Sequence, residues 1–408
     1  MAVLVPVTMR TEVALIAAGL VAFAGLARPA DAQSDAAELQ NLIEGAQAER
    51  GEDGLGALTL EELMIEFGVP GVSIAVFRDF EIHWTRAYGL ADVDAQRNVD
   101  TETLFQAASI SKPVAAMGAL RAVQDGLFSL DDDINAILTS WTLDGGGFTG
   151  QRPVTPRGLT SHTSGLGDGF GFPGYDPESP IPTALQVLES DPLSNVGSVF
   201  MERPPMTFFE YSGGGVTVMQ QALADVRGRP FEEILRVDVL EPIGMTRSTF
   251  VQPLPDSLDR NAARAHDRDG EPMGPKWHVY PEQAAAGLWT TPTDLARFAI
   301  EVQKSVRGES NRVLDRAYAR EMITPVGVGS YAVGFAVAQR GEGWYFSHGG
   351  SNWGFRANVI AHVAKGHGVA IMTNADRGSA LIGELQRRVE RAYEWDSVAE
   401  PVRRGSRE

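Results

Sequence analysis

The alternation of hydrophobic and polar positions is clearest near the two ends of the chain. Residues 71–77 and 82–88 form two strand-like runs around a polar turn, which predicts a β-hairpin. Late in the chain, strand-like runs cover 331–338, 343–348, 355–363 and 368–374, and a helical pattern covers 381–395. The middle of the chain, 109–322, contains helical runs broken by glycine and proline. We therefore predict an α+β fold (a two-subdomain α/β arrangement): an antiparallel sheet formed by N- and C-terminal strands and flanked by helices, with a mainly helical subdomain.

The first 32 residues have the pattern of an export signal. An apolar run at 13–27 follows Arg10 and precedes Ala30-Asp31-Ala32, which is typical of a signal-peptide cleavage site. The run is short for a membrane-spanning helix, so an uncleaved anchor is the less favoured alternative. We expect a signal peptide at 1–32, a polar helical lead at 33–56, one large domain at 57–396 and a disordered tail at 397–408. The predicted location is periplasmic or secreted.

Composition excludes several classes of function. The chain of 408 residues contains no cysteine, so it has no disulfides, no thiol chemistry and no lipidated cysteine. Its formal net charge of −18 disfavours binding to nucleic acid or to an anionic membrane surface. The 7 histidines show no H-E-x-x-H or comparable spacing, so no metal site is predicted. A G-x-S-x-G nucleophile elbow is also absent.

The strongest chemical signal is a serine placed three residues before a lysine, Ser109 and Lys112, at the start of an apolar helical run. Residues three apart share one face of a helix, so the hydroxyl and the amine can meet. A partly desolvated lysine can have its pKa lowered enough to take a proton from serine. Pro113 fits the first helical turn, where a missing N–H is tolerated. An exposed pair without function is the alternative for this short motif alone.

Three further blocks follow in the order that a serine acyl-transfer site would need. They are Leu159-Thr160-Ser161-His162-Thr163-Ser164-Gly165-Leu166, Phe209-Glu210-Tyr211-Ser212-Gly213-Gly214-Gly215 and Phe346-Ser347-His348-Gly349-Gly350-Ser351-Asn352-Trp353-Gly354-Phe355. Together with S-x-x-K, the blocks resemble the beta-lactamase-related serine hydrolases over about residues 55–395. That family includes class C beta-lactamases, D,D-carboxypeptidases, D-aminopeptidases and class C-like esterases.

The resemblance implies a role for each matching residue and a beta-lactamase/transpeptidase-like fold. Ser109 would be the acylated nucleophile, Lys112 its proton partner and Tyr211 the acid/base that relays a proton to the leaving group. The backbone N–H groups of Ser109 and Ser351 would form the oxyanion hole. His348, Gly349 and Gly350 would bind substrate along a strand edge. No cofactor and no metal are implied, and the oligomeric state is left open.

Two departures from the lactamase pattern affect the expected substrate. Gly213 stands where Y-x-N members have asparagine, and His348 stands where many members have the lysine of K-T-G. Histidine is only partly charged near neutral pH, so we expect weaker recognition of a substrate carboxylate. His162 is expected to pack beneath the cleft rather than to act in catalysis.

These motifs predict a serine hydrolase that acts on small carboxylic esters or on D-amino-acid amides and peptides. The alternatives are a cell-wall D,D-carboxypeptidase, a beta-lactamase, and a non-catalytic protein of the penicillin-binding type.

Overall fold

The computed structural model describes residues 29–47, 54–148, 150, 152–167 and 171–397. The strands are β1 Gly71–Arg78, β2 Glu81–Asp92, β3 Arg97–Asn98, β4 Phe105–Gln106, β5 Trp289–Thr290, β6 Ala336–Arg340, β7 Gly343–Asn352, β8 Phe355–His362 and β9 Gly368–Thr373. The helices are α1 Pro29–Glu44, α2 Leu60–Glu66, α3 Ser111–Gln124, α4 Ile134–Ile137, α5 Pro156–Thr160, α6 Ala184–Leu188, α7 Gly213–Arg227, α8 Phe231–Leu235, α9 Glu241–Ile243, α10 Asp256–Asp259, α11 Gln283–Ala286, α12 Pro292–Arg307, α13 Arg316–Glu321 and α14 Gly378–Ala392. Short 3₁₀ turns occur at Leu55–Ala57 and Ala108–Ile110, and a π-helical turn at Arg236–Leu240.

The main sheet has seven strands in the order β3-β2-β1-β9-β8-β7-β6, and every pairing in it is antiparallel. The hairpin β1–β2 therefore joins the C-terminal strands through β1 and β9, as the pattern at the two chain ends predicts. Strands β4 and β5 form a separate two-stranded sheet beside the site. The fold is a mixed helix and antiparallel sheet arrangement, in agreement with the α+β prediction.

Side chains of the central strand β1 alternate between two hydrophobic cores. Val72, Ile74 and Val76 face a core shared with α2 and α14, whereas Ala75 and Phe77 face the larger core that contains α3, α7 and α12. This period of two is the signature of a strand buried on both faces. The sheet is therefore a middle layer, with the terminal helices on one side and the helical subdomain on the other.

Several predicted boundaries differ from the structure. Strands β2 and β7 run four residues beyond their predicted ends, to Asp92 and Asn352. The run at 331–338 is a strand only from Ala336, because the preceding glycine-rich segment forms a loop in which Tyr331 makes a single bridge to Ala336. The last helix is Gly378–Ala392 rather than 381–395. The predicted cleavage point after Ala32 falls inside α1, whereas the apolar run at 13–27 and the tail from 398 onward lie outside the described residues.

Within the described residues, no helix combines the length and the hydropathy needed to cross a bilayer. The same part of the chain holds no cluster of three or more acidic, histidine or cysteine side chains arranged for a metal ion.

Candidate active site

Ser109 lies in the 3₁₀ turn Ala108–Ile110, immediately before α3. The turn is held by Ser111, whose hydroxyl donates to Ala108 O at 2.6 Å and accepts from Leu288 N at 2.9 Å. Ala108 has a φ of 51°, a left-handed conformation that is uncommon outside glycine. A backbone strained at the position before a nucleophile is typical of functional sites. The turn thus presents the Ser109 hydroxyl in a fixed position.

Lys112 reaches Ser109 from the first turn of α3. Its Nζ lies 3.1 Å from Ser109 Oγ and donates to Ala285 O at 2.8 Å. The side chain is only 4% exposed, and its Nζ lies 5.0 Å from the centre of the Tyr211 ring. Because the amine is buried among a hydroxyl, a carbonyl and an aromatic face, it is placed to exchange a proton with Ser109.

Tyr211 completes this group of side chains. Its hydroxyl is hydrogen-bonded to the Ser109 side chain, and burial raises the pKa of the phenol to about 12. Burial is the largest influence on this pKa, so the phenol is protonated in the resting site. A protonated phenol at this place is a proton donor. In this arrangement Lys112 is placed to accept the Ser109 proton, and Tyr211 is placed to donate one.

His162 fixes Tyr211 from below. The imidazole Nδ1 accepts from Ser212 N at 3.1 Å, and the His162 carbonyl accepts from Glu210 N at 2.9 Å. The His162 and Tyr211 rings are 4.2 Å apart at 31°. Because Nδ1 is an acceptor, the proton of this buried, neutral imidazole lies on Nε2. His162 packs beneath the cleft, as its sequence context predicts.

The opposite wall of the site is the end of β7. Pairing with β6 stops at Ser347, so the following residues of β7 have β8 on one side only. Trp344 O accepts a hydrogen bond from Val363 N of the β8 side. Because the backbone N–H and C=O groups of successive residues in an antiparallel strand point to opposite sides, the even-numbered residues of β7 direct theirs toward β8 and the odd-numbered residues direct theirs away from it. The N–H groups of Gly349 and Ser351 therefore face the unpaired edge.

Gly350 allows this strand edge to pack against the 3₁₀ turn that contains Ser109. A Cβ at Gly350 would lie 2.2 Å from Ala107 O and 3.2 Å from the Ala108 side chain, so no larger residue fits. Asn352 adds two tethers at the end of the strand, donating to Gln106 Oε1 at 2.9 Å and to Ala286 O at 3.1 Å. The close packing brings the Ser351 edge to the Ser109 turn.

The first hydrogen bond within the 3₁₀ turn runs from Ile110 N to Ala107 O. The N–H of Ser109 lies one residue before that donor, at the start of the turn. Groups at the start of a helical turn have no intrahelical acceptor and can bind a ligand. Together with the Ser351 N–H on the facing edge, it makes a pair of donors suited to a developing oxyanion.

His348 occupies the substrate side of the site without carrying charge. It is 4% exposed and donates from Nδ1 to Gly349 O at 2.7 Å. Burial, with a further contribution from Lys112, lowers the pKa of His348 to about 3. The expectation of a partly charged imidazole near neutral pH is therefore corrected, because the lysine behind it and the dry surroundings both oppose protonation.

A cavity of about 510 Å³ connects these groups. Its lining includes Ser109, Tyr211, His348 and Gly349, with Tyr331 and Asn358 as further members. Among the described residues, no lysine, arginine, aspartate or glutamate lines it. A larger cavity of about 740 Å³ lies between α2 and β2 and is lined in part by three acidic side chains. Ser109, Lys112 and Tyr211 do not line it.

Sequence reasoning missed three contributors. The carbonyls of Ala285 and Ala286 hold Lys112 and Asn352, but backbone acceptors leave no trace in residue type. Tyr331 comes from a loop far from every motif, and only its glycine-rich surroundings could have drawn attention to it.

The family model described as "Beta-lactamase" matches residues 57–392. Penicillin-binding protein 4 of Amycolatopsis lactamdurans is 26% identical over 80% of this chain and 88% of its own length. Esterase EstB of Burkholderia gladioli is 29% identical over 71% of this chain and 76% of its own length. Among solved structures, a D-alanine carboxypeptidase from Burkholderia cenocepacia has a TM-score of 0.64 at 18% identity and covers 87% of this chain and 99% of its own. A D-amino acid amidase from Ochrobactrum anthropi has a TM-score of 0.62 at 22% identity and covers 88% of this chain and 99% of its own. These last two likenesses establish the fold.

Proposed function

The chain belongs to the beta-lactamase family, and from this membership and the site geometry we propose that it is a serine hydrolase that forms an acyl-Ser109 intermediate. The proposed substrates are small carboxylic esters or D-amino-acid amides. The observation that carries the proposal is the convergence of Lys112 Nζ, 3.1 Å from Ser109 Oγ, and the Tyr211 hydroxyl on one serine beside an open strand edge.

Acylation follows from the placement of these groups. This step requires the deprotonated form of Lys112, whereas the protonated form is the one that lowers the pKa of His348 in the resting site. The deprotonated amine takes the proton of Ser109 while Ser109 Oγ attacks the substrate carbonyl carbon. The carbonyl oxygen becomes an oxyanion and binds the N–H groups of Ser109 and Ser351, each such donor contributing about 3 kcal/mol. The bond to the leaving group then breaks, and Tyr211 donates its proton to the departing oxygen or nitrogen. Lys112 returns a proton to Tyr211, so the acyl-enzyme retains the original protonation.

Deacylation uses the same groups in the reverse sense. A water molecule gives a proton to the Lys112 and Tyr211 pair and attacks the acyl carbonyl. The oxyanion again binds the two backbone N–H groups, and the Ser109 oxygen recovers its proton as the ester bond breaks. Because the two acid/base groups are adjacent, they titrate as a coupled pair.

The walls of the cavity favour neutral substrates. His348 is uncharged, and the part of the lining that the structure describes holds no cationic side chain, so a substrate carboxylate finds no permanent partner there. Ser212 caps α7 by accepting from Gly215 N at 2.7 Å, and Gly213 offers no side-chain amide. These features support ester or amide hydrolysis over beta-lactam turnover. Activity as a D,D-carboxypeptidase is the alternative, favoured by the relatives with penicillin-binding and carboxypeptidase names.

Covalent labelling tests the nucleophile. A fluorophosphonate adduct should map to Ser109 by mass spectrometry and disappear in Ser109→Ala. The matched control is Ser164→Ala, which changes another buried serine near the cleft and should still be labelled at Ser109. An adduct on Ser111 or Ser164 in the native protein would show that the assignment is wrong. A folded protein without any adduct would favour the non-catalytic binding protein.

A substrate profile tests the class. We expect kcat/KM for short-chain aryl esters or D-aminoacyl anilides to exceed that for a chromogenic cephalosporin by a wide margin. A cephalosporin value equal to the ester value would contradict the proposed substrates, and release of D-alanine from a D-alanyl-D-alanine peptide at the highest efficiency would favour the carboxypeptidase.

Export remains part of the proposal. The pattern of residues 1–32 supports a cleaved signal and a periplasmic or secreted enzyme. Mass spectrometry of the exported protein should find Gln33 at the N-terminus, whereas a protein that keeps residues 1–32 in the membrane fraction would indicate an anchor.

A further inference from the structure

Tyr331 is an aromatic residue of the cavity that the mechanism above does not use. It lies in the loop between α13 and β6, and this loop is fixed to the helical subdomain. Gly334 N donates to Thr160 O at 3.0 Å, two residues before His162. A Cβ at Gly334 would lie 2.8 Å from the Ala116 side chain, so the loop lies directly on α3. The position of Tyr331 is thereby tied to the helix that carries Lys112.

The Tyr331 ring contacts three other rings. It stacks on Phe209, with ring centres 5.2 Å apart at 26°. It meets His162 edge-on at 5.0 Å and His348 edge-on at 6.0 Å. Such stacked and edge-to-face contacts fix the direction of a ring. These ring contacts therefore fix the position of the Tyr331 hydroxyl, and no hydrogen bond is needed to do so.

Tyr331 lines the cavity beside Tyr211, the proposed general acid. The Tyr331 and Tyr211 ring centres are 6.3 Å apart, and both residues line the space above Ser109. Within the described part of the chain, no hydrogen bond to the Tyr331 hydroxyl is formed. Burial, with a contribution from Tyr211, raises the pKa of Tyr331 beyond its ordinary value, so the phenol keeps its proton. An uncharged donor thus stands next to Tyr211.

The position of the leaving group follows from the role of Tyr211. Because Tyr211 delivers the proton, the departing atom must lie within reach of its hydroxyl. The neighbouring wall on that side is formed by Tyr331 and His348. A leaving group bound there meets aromatic faces and the Tyr331 phenol, and none of the described residues that line this cavity is charged.

We propose that Tyr331 is a substrate-contacting residue that donates a hydrogen bond to the leaving-group atom and selects neutral leaving groups. The inference rests on the proposed acyl transfer at Ser109. Tyr331 retains its proton throughout, and Tyr211 alone transfers one. The bond strengthens as negative charge develops on the departing oxygen, so it matters most for poor leaving groups.

Tyr331→Phe tests the inference because it keeps the ring and removes only the hydroxyl. The probes are 4-nitrophenyl acetate, phenyl acetate and ethyl acetate, whose alcohols leave with increasing difficulty. We expect kcat/KM for ethyl acetate to fall about tenfold, as for the loss of one hydrogen bond, while that for 4-nitrophenyl acetate changes little. The dependence of rate on the leaving group becomes steeper. Tyr318→Phe changes a tyrosine of α13 that does not line the cavity, and this variant should match the wild type on all three esters.

An equal loss on the three esters, or no loss on any, would overturn the proposal, since a purely packing role changes them alike. Fluorophosphonate labelling of Ser109 in the variant keeps the test separate from the proposed function: intact labelling with an unchanged leaving-group dependence counts against Tyr331 alone. Tyr331→Leu removes ring and hydroxyl together and gives a second measurement of the same dependence if the phenylalanine variant does not fold.

Discussion

The two walls of the cavity hold their groups in different ways. The helical wall carries Ser109, Lys112 and Tyr211, the side chains to which we assign proton transfer, and hydrogen bonds to a backbone carbonyl and to hydroxyls fix them. The strand wall, β7 from His348 to Ser351, supplies backbone N–H groups and a neutral imidazole, and close packing at Gly350 sets its position. The helical wall therefore depends on chemical identity, whereas the strand wall depends on shape and on the absence of charge.

Removing the amine on the helical wall should have the largest effect. Lys112→Ala leaves Ser109 without a proton acceptor, and we expect the rate of acylation by an aryl ester to fall on the order of 10³-fold. Stopped-flow measurement of the acylation burst checks this. Lys304→Ala on α12 serves as the matched control and should keep the wild-type rate. Near-normal acylation by Lys112→Ala would mean that another base acts.

A methyl group on the strand wall tests its dependence on shape. Gly350→Ala would drive a Cβ to 2.2 Å from Ala107 O, so β7 must shift away from Ser109 and kcat should fall on the order of 10²-fold. Gly349→Ala is the comparator, because its Cβ would have no neighbour closer than 3.9 Å, and its loss should be smaller. Equal losses in the two variants would contradict a role for close packing at Gly350.

Charge on the strand wall is tested with a carboxylate substrate and its methyl ester. Because the pKa of His348 is about 3, the imidazole stays neutral from pH 5 to 8 and the KM values of the two substrates should run parallel over that range. His348→Lys places a cation in the cavity and should lower KM for the carboxylate about tenfold relative to the ester. In the wild type, a KM that rises between pH 6 and 7 for the carboxylate substrate but not for its methyl ester would show that His348 is protonated below that range.

The smallest effect concerns stability in acid. The folded-state pKa of His348 lies below the unfolded value near 6.5, so the unfolded chain binds the proton more tightly. The corresponding part of the free energy of unfolding is present above pH 6.5 and is lost as pH falls toward 3. His348→Asn should therefore lose less stability than the wild type between pH 7 and 5 in urea denaturation. An identical fall in both proteins would contradict the lowered pKa.

The regions that sequence predicted well are those governed by local spacing. The hairpin at β1 and β2 follows from alternation and a polar turn, and the contact of Ser109 with Lys112 follows from a separation of three residues. The position of Tyr331 in the cavity could not be predicted this way. Its loop contacts His162 and His348, which are distant in the chain, and its neighbours were wrongly expected to continue a strand.

The sequence by itself determined the order of strands and helices, the family resemblance and the serine–lysine pair, because each depends on residues that are neighbours along the chain. Only the tertiary structure decided that His348 is neutral, since its pKa reflects burial and the charge of Lys112, which comes from another element. It also decided that the N–H of Ser351 faces an unpaired edge, since that depends on where β6 ends beside β7. Long-range packing sets solvent exposure and strand partners, and neither is encoded in local spacing.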